Sequence, residues 1–298
     1  MTKDHKDQTL TRLIDQRPNS ANEARKPQEL IQIRGHEPLS LTARRAITVL
    51  WHNAHSQGLS EDGDYTIEIS RLRTDGHHGT EAIVEAIEAL MQTIVVIQMP
   101  DGSGTRRVQM LGGNDLRDDS RDRASGVLTY SFDKRLVQVL QDSRLWGPIE
   151  LPVLMAFASK YAVSLYEHLC QWIGLDRVHS KSFSIKEFRE LLGVDKDSYA
   201  AFGDLNRYVI KPAIAEICAL APFNASIQPI KEGRRVAELR LHWWDKSEQE
   251  KREAYQESER PRVGRRARIE GRVEHIAPSP SQHTLAKRAR TMLNKSDE

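Results

Sequence analysis

The residues best placed to do chemistry in this chain of 298 residues are hydrogen-bond donors rather than nucleophiles. Four sit together in the run FGDLNRYVIKPAIAEI: Asn206, Arg207, Tyr208 and Lys211. Arg and Lys can donate to the O6 and N7 of guanine, and Asn can pair with adenine. Tyr can donate to a phosphate. In helical projection Phe202, Leu205, Val209, Ala213 and Ile217 fall within about 80° of one another, the apolar stripe of an amphipathic helix. Arg207 and Lys211 lie on the opposite side, flanked by Asp204 and Tyr208, with Asn206 nearer the apolar edge. A second group of donors, Lys231, Arg234 and Arg235, surrounds Gly233 between two alternating segments. Arg106 and Arg107 hold a comparable place after Asp101-Gly102-Ser103-Gly104. On an arbitrary helix or turn such charges form only a solvated face. The elements around them decide whether they do more.

Those elements are legible between Ser159 and Trp244. Tyr161, Leu165, Tyr166, Leu169 and Trp172 have helical spacing. Ser184-Ile185-Lys186-Glu187 fits a capping box, with Ser as N-cap and Glu three residues on. Behind it Ile185, Phe188, Leu191 and Leu192 form one face, and Gly193 ends the helix before a turn through Val194 to Ser198. The donor-bearing helix follows. Its Pro212 lacks an amide donor and is expected to kink it, costing up to about 3 kcal/mol unless accommodated. A hairpin closes the run. Its second strand alternates Leu239, Leu241 and Trp243 with Arg240, His242 and Trp244. Helix, helix, turn, helix and hairpin is the winged-helix form of helix-turn-helix. It lays an exposed helix face in a DNA major groove and a hairpin beside the backbone.

The first half repeats this order. Leu41, Ala46, Ile47, Leu50 and Ala54 predict a helix with Arg44 and Arg45 off its apolar face and Gly58 as its stop. Tyr65 to Ile69 alternates as a strand. Thr80 is placed to cap a helix carrying Ile83, Ile87, Leu90 and Met91. The run Ile94-Val95-Val96-Ile97, the glycine-rich turn and a return strand around Val108 complete a hairpin. Asn114 to Ser125 reads as an exposed loop and Val127 to Phe132 as a strand. Asp133 then caps a helix with Leu136, Val137 and Leu140, and Trp146-Gly147-Pro148 marks a break.

The expected fold class is therefore α+β, two tandem winged-helix domains with a polar N-terminal arm and a basic C-terminal tail. The arm spans residues 1–36 and is read as mobile. The domains span 37–147 and 148–245, the second being the main DNA-binding unit. The tail spans 246–298 and is read as largely disordered. It carries Gly264-Arg265-Arg266-Ala267-Arg268 and Lys287-Arg288-Ala289-Arg290, which could meet phosphates without sequence preference.

Composition restricts the classes further. The net charge is only +2, so the distribution of charge, not its sum, points to nucleic acid. No apolar run approaches the roughly 20 residues of a membrane span. The opening MTKDHKDQTLTRL has no signal-like apolar core, and the expected location is the cytoplasm. Cys170 and Cys218 both fall in apolar helical patterns and read as free thiols of a reducing compartment. No nucleotide-cradling loop occurs, and two cysteines with scattered histidines, the His77-His78 pair included, do not make a closed zinc site. His242 has no second histidine two residues away, as a strand-nicking nuclease would need. The expectation is a protein without catalytic activity, cofactor or metal.

The segments SKYAVSLYEHL, FRELLGV and VIKPAIAEI, followed by a hairpin and a Trp-Trp last strand, resemble plasmid replication initiators of the Rep-3 family. The resemblance covers Leu151 to Trp244 specifically and extends more loosely back to Leu39. It implies two winged-helix domains and binding to double-stranded DNA at direct repeats (iterons) of a plasmid origin. It also implies opening of the adjacent duplex, recruitment of the host initiator ATPase and replicative helicase, and autorepression by dimers in equilibrium with monomers. The second domain would supply the stronger repeat contacts and the first would supply dimerisation and accessory ones. The family's third helix carries a basic run just before Val-Ile/Leu-x-Pro-Ala. Here that run is Asn206-Arg207-Tyr208, so the role carries over to Arg207, and its neighbours depart from the pattern. The alternative reading is a winged-helix transcriptional repressor with no initiation role.

Overall fold

The structure is a computed structural model that describes residues 21–31, 38–73, 80–98, 103–117, 126–141, 143, 146–173, 175 and 178–271. His77-His78 and the distal basic cluster at residues 287–290 lie outside them. Two compact units result, Met1–Glu259 and Arg260–Glu298.

Within the first unit, helix α2 (Leu41–Gln57) starts where the Ser40 hydroxyl accepts from the Ala43 amide at 3.1 Å. Strand β2 (Tyr65–Glu68) follows, then a 3-10 turn (Ile69–Leu72) and helix α3 (Glu81–Gln92). Strands β3 (Ile94–Gln98) and β4 (Thr105–Gln109) pair only with each other. Strand β5 (Asn114–Arg117) joins β6 (Val127–Tyr130) and β2 in a separate sheet of order β2-β6-β5. Helix α4 (Lys134–Gln141) closes the domain, and Asp133 Oδ1 accepts from the Arg135 amide at 2.8 Å. Ile47, Leu50, Trp51, Ile87, Leu90 and Tyr130 lie in one apolar core.

The second core is built on strand β7 (Trp146–Glu150) and helices α5 (Leu151–Ala156) and α6 (Lys160–Ile173). Strand β8 (Ser180–Ser184) and helix α7 (Ile185–Leu192) lead to helix α8. Helix α8 is continuous but composite: an α-helical start Phe202–Leu205, a π turn Asn206–Ile210 and an α-helical body Lys211–Leu220. Strands β9 (Phe223–Glu232) and β10 (Arg235–Asp245) form the long hairpin, and β8 completes the sheet in the order β8-β10-β9. Leu239, Leu241 and Trp243 face inward, while Arg240 and Trp244 face out. Completely buried side chains such as Phe188 and Leu192 each contribute about 1.5–3 kcal/mol by leaving water.

Four expectations are corrected. The arm expected over residues 1–36 contains strand β1 (Glu23–Pro27) and a short helix α1 (Gln28–Ile31). Strand β1 pairs antiparallel with β7, and Ala24, Lys26, Leu30 and Ile31 are buried. The loop expected over Asn114 to Ser125 begins instead as edge strand β5, because Asn114–Arg117 has a backbone partner in β6 that sequence periodicity does not reveal. Thr80 stands at the start of α3, but its hydroxyl accepts from Arg73 Nη2 at 3.1 Å rather than capping the helix. The tail expected from 246 is structured at its start: helix α9 (Glu248–Glu259) packs on α8, and buried Lys246 donates to the carbonyls of Cys218 and Ala221 at 2.6 and 2.8 Å.

In the second unit a short helix α10 (Arg265–Ile269) follows a turn. Arg265 donates to the Arg260 carbonyl and Arg268 to the carbonyls of Pro261 and Val263, so two of the tail's arginines brace their own backbone.

Candidate nucleic-acid interface

The capping box sets the entry to the second helix-turn-helix. Ser184 Oγ accepts from the Glu187 amide at 3.2 Å, while Glu187 Oε2 accepts from the Ser184 amide at 2.8 Å. Donation from the Ser184 amide and hydroxyl to that carboxylate holds it below the usual carboxylate range. At the other end of α7, Gly193 takes a left-handed conformation with φ of 66°. Its amide donates to the carbonyls of Arg189 and Glu190, satisfying groups that a helix end leaves open.

The turn that follows is tied down by one side chain. From α7, Arg189 donates through Nη1 to the Tyr199 carbonyl at 2.8 Å. Through Nη2 it donates to the carbonyls of Asp195 and Ser198 at 2.8 and 2.6 Å. These bonds fix Tyr199 with φ of 52°, a left-handed conformation uncommon for a bulky residue.

Helix α8 presents its polar side as the spacing predicts. Leu205, Val209, Ala213 and Ile217 are buried, and Arg207, Tyr208 and Lys211 are exposed. Asn206 is half-buried and lines a shallow hollow with Ile210, Lys211, Ile214, Ile227 and Pro229, where α8 meets the root of the hairpin. The effect of Pro212 is corrected in form. The Lys211 amide donates to the Asn206 carbonyl, one residue further back than in an α-helix, so the helix widens into a π turn beside the proline. That turn suits the place where an amide is missing and the ring would otherwise strike the carbonyl four residues back. It also buries Val209 and Ile210 side by side.

The hairpin tip is a two-residue loop, Gly233–Arg234, with a φ of 62° at Gly233 that relieves what a side chain would strain. Lys231, Arg234 and Arg235 are all exposed. Among the described residues, the side chains of Arg207, Lys211, Lys231, Arg234 and Arg235 have no carboxylate within ion-pair distance. A helix face and a hairpin tip, each with cations outside any ion pair among the described residues although exposed Asp204 and Glu232 lie near them, are thus offered from one domain.

The first domain differs. Arg106 and Arg107 lie within β4 rather than at a tip, and adjacent strand residues face opposite ways. Arg106 is half-buried and Arg107 exposed, so they do not act as a pair. The helix in the place of α8 is α3, whose exposed charged residues are Glu81, Glu85 and Glu88.

Between the cores lies a polar cluster that the sequence reading missed. Lys26 Nζ, on β1, donates to Glu167 Oε1 of α6 at 2.6 Å and to Thr48 Oγ1 of α2 at 2.9 Å. Thr48 donates to the same carboxylate oxygen at 2.9 Å. Lys26 and Glu167 are fully buried, and burial lowers the Lys26 pKa. Arg44 and Arg45, expected off the apolar face of α2, are buried as well, because that second face is covered by the second domain. Arg45 donates to the carbonyls of Met155 and Phe157. The Arg44 guanidinium rests so close to Gly193 that a Cβ there would sit 2.5 Å from Nη2. No local periodicity announces these contacts. Two adjacent arginines in a strongly helical run, with nothing acidic nearby, were the available signal.

Two family models match the chain. The one described as initiator replication protein, WH1, matches residues 23–170, and the one described as initiator Rep protein, WH2, matches residues 184–243. The first span includes β1 and runs through most of α6, although α6 side chains belong to the second apolar core. Among solved structures, the Pi initiator protein in complex with iteron DNA aligns with a TM-score of 0.54 at 18% identity. The alignment covers 78% of this chain and 100% of that one. Domains 2 and 3 of RctB align with a TM-score of 0.40 at 10% identity, over 72% of this chain and 81% of that one. No curated protein sequence matches. At such identities the Pi likeness speaks to fold, which is two winged-helix domains in tandem.

Proposed function

The chain belongs to the Rep-3 family of initiator replication proteins, and from that premise we propose that it starts plasmid replication by binding short direct repeats in double-stranded origin DNA. The observation that carries this reading is the set of exposed cations on the second domain that enter no ion pair among the described residues. Arg207 and Lys211 lie one turn apart on α8, with Lys231, Arg234 and Arg235 at the adjoining hairpin. A helix face of this width enters a major groove, and the hairpin then meets backbone phosphates. Arg207 reads base edges, and the hairpin supplies the sequence-independent share of affinity.

The mechanism is positional and involves no catalysis by the chain. Binding energy gained at successive repeats offsets the cost of distorting the neighbouring duplex, which is how contacts at one place open another. The duplex so opened is handed to the host initiator ATPase and replicative helicase. Dimers repress the chain's own promoter, and monomers act at the origin. All of this takes place in the cytoplasm. Among the described residues, no helix is long and apolar enough to cross a membrane.

Gel shifts test the central step: repeat DNA and scrambled DNA of equal length at the same salt. Preference for the repeats is expected, and equal affinity for both sinks the reading. A plasmid carrying the origin, supplied with the chain in trans, separates initiation from repression alone, because a repressor does not support its replication.

A further inference from the structure

Arg207 is not loose on its helix. Its guanidinium carbon lies 5.3 Å from the centre of the Tyr208 ring, and that ring lies 6.2 Å from the Tyr199 ring at an angle of 31°. Tyr199 is in turn held left-handed by the Arg189 bonds to the turn carbonyls. Four residues thus form a chain of contacts from half-buried to exposed: Arg189, Tyr199, Tyr208, Arg207. A left-handed backbone at a tyrosine persists only where its surroundings impose it, and such sites cluster where function needs a fixed geometry.

We propose that Arg189, Tyr199 and Tyr208 are positioning residues that preset Arg207 for bidentate reading of one guanine. An exposed arginine loses much rotamer freedom when it docks, and that loss weakens discrimination. Stacking removes part of the freedom beforehand. A guanidinium carries five N–H donors, so contact of its carbon with the ring still leaves donors for guanine O6 and N7. The role of Tyr208 is then the ring, not the hydroxyl. This differs from a phosphate-donating tyrosine, and the two separate experimentally. The inference rests on the origin-binding reading above.

The test is competitive binding of full-length protein to repeats in which each base pair is varied in turn, with wild type, Arg207→Ala, Tyr208→Leu, Tyr208→Phe and the Arg207→Ala, Tyr208→Leu double variant. Tyr208→Leu is expected to lower the preference for guanine at a single position about tenfold, the size of a lost bidentate contact. It should leave the salt dependence of binding unchanged. Phe at 208 is expected to rescue that preference relative to Leu. The double variant is expected to be no worse at that position than Arg207→Ala alone, since both act through one contact. The proposal is overturned if Phe and Leu behave alike, if Tyr208→Leu weakens all sequences equally, or if the two losses add. Should wild type itself fail to prefer repeats over scrambled DNA, the origin-binding reading falls, and the stack with it. Tyr208 is 53% exposed, so thermal melts of its variants should coincide with wild type, separating lost preference from lost fold.

Discussion

Helix α3 of the first domain turns Glu81, Glu85 and Glu88 to solvent, where α8 of the second turns Arg207, Tyr208 and Lys211. Both are the helix that precedes a hairpin in the same order of elements. Both bury an apolar stripe: Ile83, Ile87 and Leu90 in one, Leu205, Val209 and Ala213 in the other. Besides the π turn of α8, the difference lies on the outer face. Phosphates attract one face and repel the other, so topology alone does not say which domain reads DNA. The hairpins differ in the same direction. One ends in a tight turn ringed by three exposed cations, and the other divides its two arginines between opposite faces of a strand.

The buried Lys26–Glu167 pair ties the first domain to the second, and breaking it should have the largest effect on the chain. Glu167→Ala leaves the Lys26 ammonium buried without its carboxylate, which should cost about 3–5 kcal/mol in urea unfolding. Replacing Lys26 and Glu167 together by methionine should recover most of that, since an apolar pair of similar volume avoids stranding a charge. Equal loss in the single and double variants would show that the pair is not what matters.

Acid should expose a second asymmetry. His168, buried on α6, is pushed down to about 4 by burial, and its Nδ1 lies 2.8 Å from the Ser164 carbonyl. Neutral in the fold and ordinary when unfolded, it binds its proton more readily in the unfolded chain. Stability is therefore full above the ordinary value near 6.5 and falls as the pH drops toward 4, by up to about 3 kcal/mol. His168→Gln should flatten that part of a stability-versus-pH curve. An unaltered slope would place the loss elsewhere.

The outer faces themselves come next. Arg207→Ala should weaken repeat binding by about 1–3 kcal/mol and relax base preference. Glu85→Gln on α3 should change it by less than about 0.5 kcal/mol. A comparable effect at both would erase the distinction between the two helices. Alanine at Arg234 and Arg235 together should lower the slope of log affinity against log salt by about 2, equally for all sequences. Arg107→Ala should lower it by about 1 at most. A sequence-dependent loss at the hairpin would assign base reading to it.

The second helix-turn-helix was nearly complete in the sequence because its determinants are local. A capping box spans four residues, a left-handed glycine closes the helix, and a stripe of period 3.6 fixes which side faces out. Strand β1 was hidden because its partner is β7, more than a hundred residues away, and a lysine in it reads as solvated. The burial of Arg44 and Arg45 is hidden for a related reason. Periodicity reports one apolar face, whereas α2 is covered on two, and Arg45 Nη2 donates to carbonyls of α5 and the residue after it. Arg189 was passed over because a basic residue near a helix C-terminus needs no special partner. Its carbonyl partners exist only once the turn has formed.

Gly193 bears on how such chains can exchange parts. Any side chain there would meet the Arg44 guanidinium, and the left-handed φ discourages one independently. The C-terminal end of α7 in the second domain therefore lies against an arginine of the first, while Glu167 of the second domain answers to Lys26 and Thr48. Recombination that trades a second domain for one with another repeat preference would have to carry a matching first domain or lose the fit. A cut between β7 and α6 would separate Lys26, Thr48 and Arg44 from Glu167 and Gly193, the groups they are fitted to.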